Sequence, residues 1–188
     1  MKISISRKFE MQKNVVLDLG CGKKKRSGTI GVDFSARHDA DVIHDLDVFP
    51  YPFDDDSVDC VYLDNCLEHL SSPLKVMEEL YRILKPGGSV FIMVPYFRSR
   101  WAYNDPTHRT FYTINSFAYY DKRHIICQRY DYTDARFQVT DLKFNDGHSH
   151  SFIKKIITKI ANKWPDRYER FLSTIFPLDE IKFHLIKE

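Results

Sequence analysis

Residues 15–33 read VVLDLGCGKKKRSGTIGVD, and the reading of this stretch decides the fold. A short apolar run, Val15 to Leu17, ends in an acid, Asp18; Gly20 and Gly22 follow at alternate positions, and a second apolar run closes on a second acid, Asp33. The first run predicts a buried parallel strand, and the glycines predict the turn that leaves its carboxyl end. In an open parallel sheet that edge is where ligands sit. Glycine suits it, because without a side chain the backbone turns sharply and comes close to a ligand. A carboxylate at the end of the second strand can accept two hydrogen bonds from a ribose diol, so the stretch predicts a nucleoside-containing ligand. The plainer alternative is a turn that simply needs small residues.

Outward from this core, only residues 23–28, KKKRSG, separate the glycine turn from the second strand at about Thr29 to Val32. A crossover helix needs ten or more residues, so the first helix is abbreviated to about a turn or replaced by a loop. The basic run Lys23 to Arg26 reads as a solvated loop tip or as a site for an anionic substrate group. Asp41 to Ile43 is a third short strand ending near His44 and Asp45. Val58 to Leu63 alternates as a fourth, and Asn65 to Leu70 opens a helix. Ser72-Pro73 is a helix start, with serine as N-cap and proline at the first helical position. Leu74, Met77, Leu80, Ile83 and Leu84 keep helical spacing up to a stop at Lys85-Pro86-Gly87-Gly88. Ser89 to Val94 is a fifth, buried strand. This alternation predicts an α/β fold, a doubly wound, Rossmann-like sheet.

From Pro95 the character changes. Tyr96 to Tyr132 is rich in aromatics, Tyr96, Phe97, Trp101 and Tyr103 among the first, with Arg98, Arg100, Arg109, Arg123 and Arg129 interleaved. The segment follows the fifth strand's carboxyl end and so is expected over the same sheet edge as the glycine turn. Within it, Asn104-Asp105-Pro106-Thr107-His108-Arg109 is dense in groups that move protons. Phe137 to Phe144 alternates as a sixth strand, and Asp146-Gly147-His148 is a turn. Ser151 to Trp164 is a basic amphipathic helix, suited to an ordinary domain surface or to membrane-surface contact. A short helix spans Asp166 to Ile175. Glu180 to Lys187 closes the fold as an antiparallel strand with Ile181, Phe183 and Leu185 inward, the last of seven in a mostly parallel sheet.

Length and composition set the bounds. At 188 residues the chain has the size of one domain, 1–188, divided into a cofactor-binding half, 14–95, and a substrate-side half, 96–188, with an aromatic-rich cap and a helical insertion. A formal charge of +2 is too small to argue for nucleic acid. Cys21, Cys60, Cys66 and Cys127 show no CxxC or Cys/His spacing, so the expectation is reduced thiols and no metal. Residues 1–13 are polar and mixed, without a signal-peptide core, and no apolar run approaches roughly 18 residues, which points to a soluble, cytoplasmic protein. Oligomeric state is not legible.

The motifs LDLGCG, GVDFS, PFDDDSVDCVYLDNCLEHL and LKPGGSVFIMVP occur in this order. With them the chain resembles class I S-adenosylmethionine-dependent methyltransferases, of the small, type 11-like branch, over about residues 14 to 95. The resemblance implies S-adenosylmethionine as cofactor. Asp18, Gly20, Cys21 and Gly22 would form the loop against its methionine part, Asp33 would bind the ribose hydroxyls, and Phe34 would flank the adenine. Asp45 and Leu46 would meet the adenine amine and ring face, and Asn65 would lie near the sulfonium and carboxylate. The pattern departs at Lys24, which stands where the loop's third glycine is usual, and in the shortened first helix.

Methyl transfer to an oxygen or nitrogen acceptor that must lose a proton is helped by a base. His108 is the candidate, with Asp105 orienting it; Tyr96, Trp101 and Arg109 are candidate substrate contacts, and His69 is read as structural. The cap suits a small molecule, including a lipid-linked or sugar-type acceptor. Two alternatives stand beside the enzyme: a cofactor-binding sensor or partner subunit without activity, and a nucleic-acid-binding or nucleic-acid-modifying module.

Overall fold

The computed structural model describes residues 14–145 and 151–188. Its strands are β1 (Val16–Leu19), β2 (Ile30–Asp33), β3 (Val42–Ile43), β4 (Val58–Asp64), β5 (Leu84–Pro95), β6 (Phe137–Asn145) and β7 (Glu180–Lys187). Its helices are α1 (Pro73–Ile83), the one-turn α2 (Trp101–Asn104), α3 (Ile125–Tyr130), α4 (Phe152–Lys163) and α5 (Pro165–Arg167), the last running into a π turn, Tyr168–Leu172. One seven-stranded sheet has the order β3-β2-β1-β4-β5-β7-β6. The first five strands are parallel, and β7 enters antiparallel between β5 and β6. This is the mostly parallel sheet with an antiparallel last strand that the sequence predicts.

The central strands alternate; Val58 to Leu63 does so as expected, whereas Ser89 to Val94, expected to be fully buried, leaves Ser89, Phe91 and Met93 only half-buried. One face carries Val61, Leu63, Val90, Ile92, Phe183 and Leu185, none more than 2% exposed. The other carries Cys60, Tyr62, Ser89, Phe91 and His184, all half-buried. There the Tyr62, Phe91 and His184 rings stack across three strands with centroids 5.1 and 4.3 Å apart, and the Arg26 guanidinium lies 4.1 Å above the Tyr62 ring. The crossovers from β1 to β2 and from β2 to β3 are turns without a helix. Of the two possibilities for the first crossover, the loop is the one formed.

α1 buries Val76, Met77, Leu80 and Ile83, each contributing about 1.5–3 kcal/mol, while Leu74 faces out. Ser72 occupies the N-cap position, but its hydroxyl makes no capping bond; its carbonyl accepts from Val76 instead. The expected stop at Lys85–Gly88 is displaced. The helix ends at Ile83, and β5 begins at once with Leu84, which pairs with Val58 before the register jumps to Cys60 and Ser89. The Lys-Pro-Gly-Gly segment is therefore an irregularity inside the strand, and Gly87 at φ +77° absorbs the extra backbone. Among the described residues, the region from Asn65 to Leu70 holds only a 3₁₀ turn, Leu67–His69. The edge of β6 is closed by α4, where Asn162 accepts from the Phe144 amide at 2.6 Å and donates to its carbonyl at 3.2 Å. The readings of residues 1–13 and of the 146–148 turn lie outside the described residues.

Candidate functional site

The glycine turn is built from two different constraints. Gly20 has φ +70°, and a Cβ there would sit 2.3 Å from Cys66 Sγ and 2.8 Å from Cys66 Cβ, so the turn after β1 packs directly on the turn after β4. Gly22 has φ +59° and open space where its side chain would be. Its amide donates to Asp33 Oδ2 at 3.0 Å. Cys21 between them is buried, its thiol pushed up to about 11 by burial and by the carboxylates of Asp33, Asp18 and Asp39, which makes it packing rather than chemistry.

Asp33 is buried at the end of β2. Its Oδ1 accepts from the Ser35 amide at 3.0 Å and faces His38 Nδ1 at 2.7 Å. Burial works against its ionisation, yet the Ser35 and Gly22 amides and His38 hold the carboxyl below its usual range. Three of roughly four acceptor positions on a carboxylate are thus taken within the chain, leaving one on Oδ2. A two-bond grip on a diol therefore needs His38 to share the ligand. Asp18 accepts from the Arg26 amide at 2.8 Å, and burial raises its pKa. Phe34 is 72% exposed beside these acids, its edge against His38. Asp45 is exposed and accepts from the Asp47 amide at 2.9 Å. Leu46 belongs to the core, where the Tyr51 hydroxyl bonds its carbonyl; its side chain supports the turn instead of offering a face.

Lys23 and Lys24 are exposed. Lys25 pairs with Asp41 at 2.8 Å, and Arg26 pairs with Asp64. Half of the basic run is thereby neutralised inside the chain.

At the next section of the sheet edge, Asn65 stands exposed at φ +49° with its amide on the Met93 carbonyl at 2.8 Å. It lines a cleft of about 1070 Å³ together with Glu68, His69, Trp101, Asp105 and His108, and with Asp179, Glu180 and Lys182 from the approach to and start of β7. The 105–112 segment is folded onto the 3₁₀ turn: the Arg109 amide donates to the Glu68 carbonyl at 2.8 Å, and the Tyr112 hydroxyl to the Leu67 carbonyl at 3.3 Å.

This fold-back brings His108 and His69 against Glu68, a residue that the sequence reading did not single out. Glu68 is only 1% exposed, and neither carboxylate oxygen has a hydrogen-bond partner among the described residues. Burial pushes its carboxyl up to about 7. His108 Nε2 lies 3.9 Å from Glu68 Oε1, and its Nδ1 is 3.0 Å from the Ala102 carbonyl, which fixes Nδ1 as the protonated nitrogen and leaves Nε2 the basic one. The His69 ring packs edge-on against His108 with centroids 4.6 Å apart. Burial and the neighbouring His108 lower the pKa of His69. Donor atoms of Glu68, His69 and His108 all lie within 4.8 Å of one another. Metal ligation at about 2.0–2.2 Å from a common centre needs a tighter set, so a cation would require these side chains to close in.

Besides Leu46, further sequence-based assignments change. Asp105 does not orient His108: its carboxylate accepts from the Thr107 amide at 2.8 Å and hydroxyl at 2.6 Å, an Asx turn that holds the loop. Tyr96 is fully buried, packed on Phe144 and Tyr168, with its hydroxyl on Glu169 at 3.2 Å, so it is core and not pocket wall. Arg109 lies 3.9 Å from Asp47 on the surface and does not line the cleft. Trp101 does line it, and so does His69, read from sequence as structural.

Residues 17–92 match a family described as a methyltransferase domain. An uncharacterised protein encoded in a transposon of Streptomyces fradiae is 31% identical over 101 residues, 42% of this chain and 29% of that protein. A demethylmenaquinone methyltransferase of Clavibacter sepedonicus is 36% identical over 74 residues, 39% of this chain and 26% of that protein. The chain thus spans under a third of the length of these relatives. A solved S-adenosylmethionine-dependent methyltransferase from Archaeoglobus fulgidus superposes with a TM-score of 0.57 at 19% identity, covering 100% of this chain and 92% of that one; at that identity the likeness is one of fold. The resemblance read from the sequence motifs is borne out over almost the same span.

Proposed function

We propose, from the match of residues 17–92 to a methyltransferase-domain family and the resemblance to class I S-adenosylmethionine-dependent enzymes, that the chain moves a methyl group to an oxygen or nitrogen acceptor on a small molecule, a lipid-linked or sugar-type substrate included. The observation that carries this reading is the continuity of the sheet edge. Cys66 packs on Gly20, and its neighbour Asn65 opens into the cleft that holds His108, so a ligand seated on the glycine turn ends beside a proton-accepting group. The residues fit the cofactor: open space at Gly22, one unused acceptor position on Asp33, a bare aromatic face at Phe34, and the exposed carboxylate of Asp45 for an exocyclic amine.

When bound, S-adenosylmethionine supplies a methyl carbon activated by its sulfonium charge. The chain's part is to align the acceptor and keep water out. Trp101 and Pro95 give the cleft apolar wall. His108, held by the Ala102 carbonyl, takes the acceptor's proton on Nε2, and Glu68, 3.9 Å away, balances the imidazolium where its own carboxyl, raised to about 7, is ionised. Lys24, the departure that favours a cofactor sensor, is exposed and fills none of this space. A nucleic-acid module draws little support from a basic run of which half is already paired, to Asp41 and Asp64.

Calorimetric titration with S-adenosylmethionine tests the reading. Saturable binding that Asp33→Ala weakens at least tenfold is expected; absence of binding at millimolar cofactor overturns it. Turnover of labelled cofactor across acceptor libraries then separates enzyme from sensor.

A further inference from the structure

Helix α4 and its flanks read SFIKKIITKIANKW over residues 151–164, with four lysines and no acid. The helix docks on the domain by a narrow stripe, Ile157 and Ala161. A wider apolar stripe stays outside: Phe152 is 76% and Ile153 59% exposed, and Ile156 and Trp164 are exposed as well. Lys155, Lys159 and Lys163 follow one another at four-residue intervals along the flank of that stripe, and Lys163 Nζ lies 4.5 Å over the Trp164 ring. The turn after α5 adds Phe171, Ile175 and Phe176, all exposed, Ile175 at 69%. Ile153, Ile175 and Phe176 line one groove of about 330 Å³. That groove shares Arg100, Lys154 and Asp179 with the wall of the catalytic cleft.

We infer that α4 and the 171–176 turn dock on an anionic lipid bilayer surface, which brings the mouth of the cleft to the headgroup layer. Twelve helical residues span about 18 Å, and no helix among the described residues is long and apolar enough to cross a membrane, so α4 lies in the interfacial plane. An exposed apolar stripe flanked by lysines, with a tryptophan at the helix end, is the composition that such a plane selects. The lysine stems reach along the apolar surface while their charges meet headgroups. Charge decides against a second copy as occupant: a symmetric contact through α4 would set two acid-free lysine rows against each other, whereas anionic headgroups neutralise them. Docking is independent of whether methyl transfer occurs. If it does, an acceptor carried on a lipid reaches the cleft without leaving the surface.

The full chain is sedimented with vesicles of phosphatidylcholine alone and of phosphatidylcholine with phosphatidylglycerol, at low and at physiological salt. Binding to the anionic vesicles only, falling with salt, is expected. Phe152→Ala with Ile153→Ala should weaken it by about tenfold or more, and Lys155→Gln with Lys159→Gln by about fivefold per lysine. All four positions are exposed, so circular dichroism and S-adenosylmethionine affinity stay at parental values; loss of cofactor binding in the parent would sink the methyltransferase reading and leave this one standing. No binding to anionic vesicles at low salt overturns the inference. So does binding that all four substitutions leave unchanged, or a lipid-free dimer by light scattering that Phe152→Ala dissociates.

Discussion

Gly20 and Gly22 look equivalent in sequence, and alanine at each should show that they are not. At Gly20, φ is +70° and a Cβ would stand 2.3 Å from Cys66 Sγ. Left-handed backbone costs alanine about 1–2 kcal/mol, and forcing a methyl group into a packed contact costs about 1–3 kcal/mol more. Gly20→Ala should therefore lose about 2–5 kcal/mol of stability. At Gly22, φ is +59° with nothing within 4 Å of the added carbon, so only the backbone cost of about 1–2 kcal/mol applies. Urea unfolding with unchanged slope measures both. Adding Cys66→Gly removes both close contacts and should return the packing part of the Gly20→Ala loss, a coupling of about 1–3 kcal/mol. Cofactor affinity should move the opposite way: Gly22→Ala, stable but with its methyl group in the open cradle, should bind S-adenosylmethionine much more weakly than its small stability loss implies. Equal stability losses at the two glycines, or no coupling to Cys66, would refute the reasoning.

Three further outcomes are expected. Glu68 is buried, with its carboxyl raised from 4.5 to about 7, so the folded state holds the proton that the unfolded state gives up. Stability should then fall by about 3 kcal/mol as pH rises from 4.5 to 7, and Glu68→Gln should flatten that slope in urea melts across the range. Asp33 titrates in the opposite sense. Its folded pKa lies below 3.8, so its stabilisation is present above that value and is lost as pH falls through the folded pKa, a loss that acid unfolding of Asp33→Asn should lack. In turnover assays His108→Ala should lower kcat by about a hundredfold or more. Asp105→Ala, whose carboxylate holds Thr107 instead of the imidazole, should cost less than about tenfold with no change in the pH profile.

What the sequence made legible is local. Alternation in residues 58–63, 137–144 and 180–187, the apolar spacing after Pro73 and the paired acids after short apolar runs each contain their whole signal within one element. What stayed hidden depends on distant partners. Tyr96 reads as pocket wall because it follows a strand into an aromatic segment; Phe144, Tyr168 and Glu169, which make it core, come from the far end of the chain. Glu68 reads as one more residue of a short helix until the 105–112 loop folds over it, with no hydrogen-bond partner for its carboxylate among the described residues. Lys85–Gly88 reads as a stop because proline and paired glycines end helices, yet the pairing of β4 with β5 carries the strand through it. Asp105 is the exception. Asp-Pro-Thr is itself an Asx-turn signal, and those three residues alone suffice to direct the carboxylate to Thr107 and away from His108.

The missing crossover helix also bears on which ligand the glycine turn can take. A helix starting after β1 would bring a cluster of free amides and the positive end of its dipole to the turn, the arrangement that holds a pyrophosphate. Here turns take its place, and four of their amides are committed within the chain: Gly22 to Asp33, Arg26 to Asp18, Gly20 and Cys21 to the Val32 carbonyl. The charges buried against the turn are the carboxylates of Asp18 and Asp33; Arg26 is held by Asp64, and Lys23 and Lys24 stand exposed at the surface. Buried carboxylates on the turn favour positive charge over a phosphate at the ligand end that faces them. A sulfonium-bearing nucleoside has that charge, and a dinucleotide does not, so the shortened first crossover and the two acids narrow the cofactor on electrostatic grounds.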